Sequence, residues 1–308
     1  MTAAHHHAIH VDVDVPLARR LLAAQFPEWA DLPLAPVESA GTDNAIFRLG
    51  DDLVVRMPRV DWAVGQVEKE QRWLPRIAPH LPLAIPAPVA MGTPDGDYPW
   101  SWSVYNWLDG EAAAPGRFAD LTQAAVALGE FVNALRQIDA AGGPPPGDHN
   151  FLRGEPLLNR DEEMREAIAD SHGLVDIETV TRAWEAALDT PVWAGPPVWV
   201  HGDLQAANLL LKDGQLSAVI DFGGLGVGDP ACDLLVAWNL FCGESREAFR
   251  AAVQPDEATW ARGRGWALSV AMIQLPYYLH RRPLIAAGAR YVIGEVLAEY
   301  RSETAARV

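Results

Sequence analysis

The stretch VWVHGDLQAANLLLKDGQLSAVIDFG, Val198 to Gly223, decides the fold. VWVH is an apolar strand that runs into Gly202-Asp203. NLLL and LSAVID are two further strands, joined by the turn Asp213-Gly214. Short apolar strands pack a sheet, yet these end in Asp203, Asn208 and Asp221. When the two later strands pair as a hairpin, Asn208 and Asp221 face each other at its open end. An amide oxygen and a carboxylate in that arrangement suit a hard divalent cation such as Mg²⁺. Asp203 then stands beside the metal as a base orienting a hydroxyl nucleophile. Singly, Asp203 caps a turn, Asn208 forms a local turn and Asp221 ends a strand equally well. The weight lies in the three together.

The segments HGDLQAANLL and IDFGGLGVGDPACDL together resemble the aminoglycoside phosphotransferase family of antibiotic and small-molecule kinases. Gly202 stands where protein kinases carry Arg before the catalytic Asp. The resemblance extends from about Ala40 to Phe241 and is firmest over 198–235. It implies an α+β, protein-kinase-like, two-lobed fold with a small β-rich N-lobe and a larger helical C-lobe. Residues 1–110 would form the nucleotide-binding lobe, and residues 111–308 would carry the catalytic loop and acceptor site. By the same resemblance Asp203 is the catalytic base, Asn208 and Asp221 are the metal ligands, Mg²⁺ is the cofactor and ATP or GTP the cosubstrate. His201 is expected as a buried hydrogen-bonding brace and Cys232 as a small core residue. Asp229 and Asp233 are expected to tie the following helix to the catalytic loop.

The nucleotide end departs from the family pattern. AGTDNAIFRL supplies one glycine, Gly41, so a glycine-rich signature is absent, and the backbone of Thr42 to Asn44 is left to cover the phosphates. VVRMP puts Arg56 where Lys is commonest; Arg keeps the charge but presents a planar fork. Glu70 is the expected partner of Arg56, with Glu68 the competitor and surface exposure the alternative for both. VYNWLDG resembles the segment between the lobes, where backbone groups of Tyr105, Asn106 and Trp107 would meet the adenine edge. Trp107 reads equally well as ordinary packing.

Composition bounds the partners. The 308 residues carry a formal charge of −17, which repels nucleic acid and anionic lipid and favours solubility or cationic small molecules. Apolar residues are 49%, enough for real cores, and no run approaches a membrane span. Two cysteines, with no secretory leader pattern at the start, fit a reducing cytoplasm. His5, His6, His7 and His10 read as an exposed tail. The expected reaction moves the γ-phosphoryl group to a hydroxyl of a small molecule, with an aminoglycoside the leading class. Asp148, Glu155, Asp161, Glu162, Glu163 and Glu244 could suit such a polycation, although solvated helix faces explain each singly. Trp238, Trp260, Trp266, Tyr277 and Tyr278 could wall a macrolide-like ring, although their helical spacing favours core packing. Macrolide or other metabolite hydroxyl kinases are the alternatives within the enzyme class, and a catalytically silent kinase-like module is the alternative outside it. Asp203, Asn208 and Asp221 together argue against silence.

Periodicity places the remaining elements. Helices are expected over Pro16–Phe26, Val64–Ile77 with Val67, Trp73, Leu74 and Ile77 buried, Phe118–Ile138, Asn159–Asp170 and Ile177–Leu188. A hairpin joins Ala45–Leu49 to Leu53–Met57, PAPVAMG and SWSVYNWL are strands, and the chain ends in helices. AAGGPPPGDHNF is a loop, and the lobes join near Leu108–Pro115.

Overall fold

A computed structural model describes residues 9–37, 43–114 and 116–306. The first helix, α1, spans Val15–Gln25; Asp14 caps it by accepting the Leu17 N–H at 2.9 Å, and Pro16 sits in its first turn. A five-stranded antiparallel sheet follows: β1 (Leu34–Pro36), β2 (Asn44–Leu49), β3 (Leu53–Pro58), β4 (Pro88–Gly92) and β5 (Trp102–Asn106), in the order β1-β2-β3-β5-β4. Strand β1 was not expected from the sequence. It is a three-residue edge strand, and Pro36 is tolerated there because an edge leaves N–H positions without a ladder partner.

Helix α2, Gln66–Ile77, interrupts the sheet between β3 and β4. It starts two residues later than periodicity suggests because Gly65, at φ 88°, breaks the helical path. Its buried residues include the expected Val67, Trp73, Leu74 and Ile77, and with them Glu70, on the same face. Trp73, Leu74 and Ile77 join the larger of two hydrophobic cores, and the Trp73 ring lies 4.8 Å from that of Trp199. The smaller core belongs to the sheet and α1, with Leu21, Leu22, Phe47, Val55, Met57, Trp102 and Val104. Helix α2 is therefore anchored in the C-terminal lobe while its N-terminal half faces the sheet.

The larger lobe is helical: α3 (Leu121–Gln137), α4 (Asp161–Asp170), α5 (Ile177–Leu188), α6 (Val236–Asn239), α7 (Gly243–Val253), α8 (Glu257–Tyr278) and α9 (Pro283–Ala306). Helix α3 begins at Leu121 rather than Phe118 because Asp120 caps it, accepting the Thr122 and Gln123 N–H groups. Four short strands and one two-residue strand complete the lobe: β6 (Glu111–Ala112), β7 (Val198–Val200), β8 (Leu209–Lys212), β9 (Gln215–Val219) and β10 (Gly226–Gly228). Strands β7 and β10 pair, and β8 lies between β6 and β9. The β8–β9 turn is Asp213-Gly214, with both residues at positive φ, 54° and 76°. Among the described residues no helix is long and apolar enough to cross a membrane.

Trp73 is the joint between α2 and the larger core, so Trp73→Ala is expected to lower stability by about 3–5 kcal/mol. Urea unfolding followed by circular dichroism checks this; a loss below about 1 kcal/mol would show that the Trp73–Trp199 contact does not hold the helix in place.

Candidate active site

The loop after β7 is fixed from below. The buried carboxylate of Asp233 accepts the backbone N–H groups of His201 at 2.8 Å and Gly202 at 2.7 Å. His201 is fully buried; its Nε2 donates to the Ile220 carbonyl at 3.1 Å, and its Nδ1 accepts the Asp203 N–H at 3.1 Å. One tautomer satisfies both bonds, which makes His201 a brace between the loop and the residue before Asp221. Gly202 has φ +83°, and a Cβ there would meet the Gly224 carbonyl oxygen at 2.5 Å and Arg153 Cγ at 3.0 Å. The residue before Asp203 is therefore restricted to glycine by both conformation and space.

Asp203 Oδ2 accepts hydrogen bonds from Asn208 Nδ2 and Gln205 Nε2, both at 2.9 Å. Asn208 Nδ2 also donates to the Asp203 carbonyl at 2.8 Å. Burial raises the Asp203 carboxyl above its ordinary value, Arg153 works against that rise, and Asp221 adds to it. The Ile220 N–H donates to the Asn208 carbonyl at 2.8 Å, extending the β8–β9 pairing by one step, so Asn208 stands opposite the residue before Asp221 at the open end of the hairpin. With its Nδ2 committed to Asp203, Asn208 has Oδ1 to offer a cation. Asp221 Oδ1 accepts from Arg56, which leaves Oδ2. One amide oxygen and one carboxylate oxygen fit Mg²⁺, which keeps several waters and completes its shell with substrate phosphates.

Arg56, on β3, lies between two carboxylates. Its Nη1 donates to Glu70 at 2.6 Å and its Nη2 to Asp221 at 2.9 Å. Asn44, at the start of β2, turns its amide oxygen toward the same guanidinium, 3.2 Å from Nε and 3.1 Å from Nη2. Burial lowers the Arg56 affinity for its proton, and Glu70 and Asp221 more than offset this, leaving it above the usual arginine value. Glu70 is 1% exposed and also accepts the Tyr105 hydroxyl. Burial, then Glu70, holds that phenol well above its ordinary value. Glu68, the competitor, is exposed.

The segment between the lobes is bonded on both sides. The Tyr105 side chain turns inward to Glu70. The Asn106 N–H donates to Ala87 at 3.0 Å and the Trp107 N–H to Asp52 at 2.7 Å. A base edge that used either N–H would have to displace one of these bonds. The Trp107 ring packs under the Arg48 guanidinium, 3.9 Å from its centroid. Gly41 and Thr42 lie outside the described residues, as do His5, His6 and His7.

Several site groups were not found from the sequence. Lys69, beside Glu70 on α2, donates to the Gly223 carbonyl at 2.7 Å and contacts His149. Arg153 lies against Gly202 and stacks on Trp266, 5.3 Å from its centroid, with Nη1 buried and without a hydrogen-bond partner. Asp229 ties down a different element from the one expected: it forms a two-pronged pair with Arg262 of α8, at 2.7 and 3.2 Å, while of the two aspartates it is Asp233 that bonds the loop carrying Asp203. Asp221 itself sits at φ 63° in the left-handed region, which costs on the order of 1 kcal/mol for a non-glycine residue. Charge-assisted hydrogen bonds of about 1.5–3 kcal/mol when buried offset this. The Lys69–Gly223 bond counts fully, and the Arg56–Asp221 pair counts less because the Asp221 side chain is 45% exposed.

Of the six acidic residues weighed for a polycation, three are engaged locally and three are exposed. Asp161 pairs with Arg165 and accepts the Trp184 N–H, Glu163 lies 3.8 Å from Arg160, and Glu155 accepts from Asn159. Asp148, Glu162 and Glu244 are exposed. Trp238, Trp260 and Trp266 are core residues, and Tyr277 and Tyr278 pack edge to face at 4.7 Å. Cys232 is buried and unpaired.

Known proteins share this architecture. The structure is similar to the GDP complex of an aminoglycoside 2'-phosphotransferase of type IIIa, with TM-score 0.72 and 21% identity over 92% of this chain and 98% of that one. It is similar to the gentamicin complex of a type IIa aminoglycoside phosphotransferase, with TM-score 0.63 and 19% identity over 93% and 99%. It is also similar to a macrolide 2'-phosphotransferase from Brachybacterium faecium, with TM-score 0.62 and 24% identity over 90% and 97%. No curated protein matches the sequence. At these identities the likenesses establish the two-lobed kinase-like fold. The model of the phosphotransferase enzyme family matches residues 35–266, well over half of the sequence, and the chain belongs to that family.

Proposed function

We propose that the protein transfers the γ-phosphoryl group of ATP or GTP to a hydroxyl of a small molecule. The observation that carries this reading is the linked set Asp203–Asn208–Asp221, joined by the Asn208 side-chain bonds and the Ile220–Asn208 backbone bond. Asp203 is the group that accepts the proton of the attacking hydroxyl, and Asn208 and Gln205 fix its carboxylate through the bonds they donate. Asn208 and Asp221 would hold Mg²⁺, which when bound neutralises charge on the phosphates. Arg56 supplies a half-buried cation on the N-terminal lobe, aimed by Glu70, to meet phosphate oxygens. Phosphoryl transfer asks little more of a protein than this positioning and charge.

Aminoglycosides are the leading acceptor class, in line with the phosphotransferases of the same fold. A second reading, a neutral acceptor such as a macrolide, has one specific observation in its favour. Arg153 exerts a positive charge on Asp203, and three of the six acidic residues weighed, Asp161, Glu163 and Glu155, are engaged with Arg165, Arg160 and Asn159. Both features favour an acceptor that brings little positive charge to the reacting hydroxyl. A nucleoside-diphosphate release assay over aminoglycosides, macrolides and amino alcohols, with ATP and GTP compared, separates the two. Turnover with none of these acceptors would leave the silent module as the better reading.

Asp203→Asn is expected to lower turnover by about 10²–10⁴-fold, the usual contribution of a general base, while nucleotide affinity stays near that of the native protein. Wild-type turnover in that variant would remove Asp203 from its role. In Asp221→Ala the Mg²⁺-dependent part of nucleotide binding is expected to disappear. A Mg²⁺ titration of nucleotide affinity reads this, and an unaltered titration would count against Asp221 as a ligand.

A further inference from the structure

Lys69 makes contacts that the proposed phosphoryl transfer does not by itself require. Its Nζ lies 2.7 Å from the Gly223 carbonyl oxygen, 3.3 Å from the His149 carbonyl oxygen and 3.3 Å from His149 Nδ1. His149 Nε2 lies 2.8 Å from the Pro145 carbonyl, which can only accept, so the ring proton is on Nε2 and Nδ1 carries the lone pair. Lys69 thus meets an acceptor with each of its three ammonium hydrogens. The acceptors come from two separate segments: the turn that follows Asp221, and the loop between α3 and α4. The donor comes from α2, one residue from the glutamate that aims Arg56.

Space around this contact is tight. A Cβ on Gly223 would meet the Gln66 amide group at 3.0–3.1 Å, so α2 and the turn are in direct packing contact. The loop is held in turn by Asn150, which accepts the Gly147 N–H at 3.0 Å and donates to the Arg153 carbonyl at 3.0 Å. Phe151 and Leu152 follow with φ 55° and 61°, a backbone that needs outside support in residues of this type. Burial pulls the Lys69 ammonium down to about 8, against the pull of Glu70 and Asp221, so it is mostly charged at neutral pH.

We propose that Lys69 is a positioning residue, pinning the turn after Asp221 and the Gly147–Asn150 loop to α2 so that the Asp221 carboxylate faces the nucleotide. The reasoning is mechanical. Asp221 occupies a left-handed conformation, and its turn has freedom to relax unless the Gly223 carbonyl is held. Arg56 holds the carboxylate itself in the absence of nucleotide, but a cation drawn to phosphates is no longer available for that task. Lys69 acts on the backbone instead, and its hold persists when Arg56 is engaged elsewhere. It also links Glu70 and Asp221 through one helix, so the phosphate-facing cation and the metal-facing carboxylate keep a constant separation. This role rests on the reading of Asp221 as a metal ligand.

The test uses the full chain and two independent readouts. Backbone hydrogen exchange, without nucleotide or metal, is expected to be faster in Lys69→Met over 147–150 and 221–224, and unchanged in β2 and β3. The Mg²⁺ concentration for half-maximal nucleotide binding is expected to rise by about tenfold, equivalent to about 1.4 kcal/mol, with the acceptor KM nearly constant. Lys69→Arg keeps a cationic donor and is expected to recover exchange protection at 221–224. Unchanged exchange in both segments overturns the proposal. Faster exchange with an unaltered Mg²⁺ requirement also overturns it, since Lys69 would then be structural only. A Lys69→Arg variant as unprotected as Lys69→Met counts against the hydrogen bonds as the cause. Should Lys69→Met fail to fold, His149→Leu removes one acceptor and leaves the lysine, and unchanged exchange at 147–150 in that variant overturns the proposal equally. A native protein that transfers no phosphoryl group would refute the proposed function, while the exchange result would still decide whether Lys69 holds the turn.

Discussion

One half-buried guanidinium joins the two lobes. Arg56 donates to Glu70 on one side and to Asp221 on the other, so a strand, a helix and the far end of a hairpin meet at a single charge. Removing one partner from a buried pair leaves an uncompensated charge, at a cost of about 3–5 kcal/mol. Glu70 is the partner that carries this constraint, because it is almost fully buried while Asp221 is open to solvent. The same asymmetry has a functional reading. Arg56 is bound to a buried partner on the helix and to a half-exposed one on the turn, so in the proposed role phosphates would compete for the Asp221 side of its fork.

Around this charge, side chains that grip backbone groups set the geometry. Asp233 holds two consecutive N–H groups of the loop that carries Asp203, His201 ties that loop to Ile220, and Ile220 bonds Asn208. Each link is one hydrogen bond long, and together they bring residues from a loop, a strand start and a strand end to one place. Gly202 is part of the same design. Its missing side chain lets the Gly224 carbonyl and the Arg153 stem close over the loop.

Local pattern explains what was legible in the sequence. The hairpin β8–β9 follows from two apolar runs and an Asp-Gly turn, and it places Asn208 opposite the end of the strand that leads to Asp221. Glu70 over Glu68 follows from helical geometry, since Glu70 shares a face with Val67, Trp73, Leu74 and Ile77. Other features depend on contacts between segments far apart in the chain, which periodicity does not encode. Lys69 bonds residues 80 and 154 positions away in the chain, Arg153 lies beyond the loop that glycines and prolines mark up to Phe151, and Asp229 pairs with Arg262 on α8 rather than with the loop that carries Asp203. The short edge strand β1 carries too few residues for alternation to reveal it. The N–H groups of Asn106 and Trp107 are occupied by carbonyls of neighbouring turns, which a resemblance at the level of strand positions does not convey.

The central claim is that Asn208 and Asp221 share one divalent cation next to Asp203. Anomalous diffraction from crystals of the protein grown with Mn²⁺ and a non-hydrolysable nucleotide tests it most directly. The account predicts a peak about 2.0–2.3 Å from Asn208 Oδ1 and from an Asp221 carboxylate oxygen, bridging to the phosphates. Bound nucleotide with the metal peak elsewhere, or with either side chain turned away from it, would contradict the account.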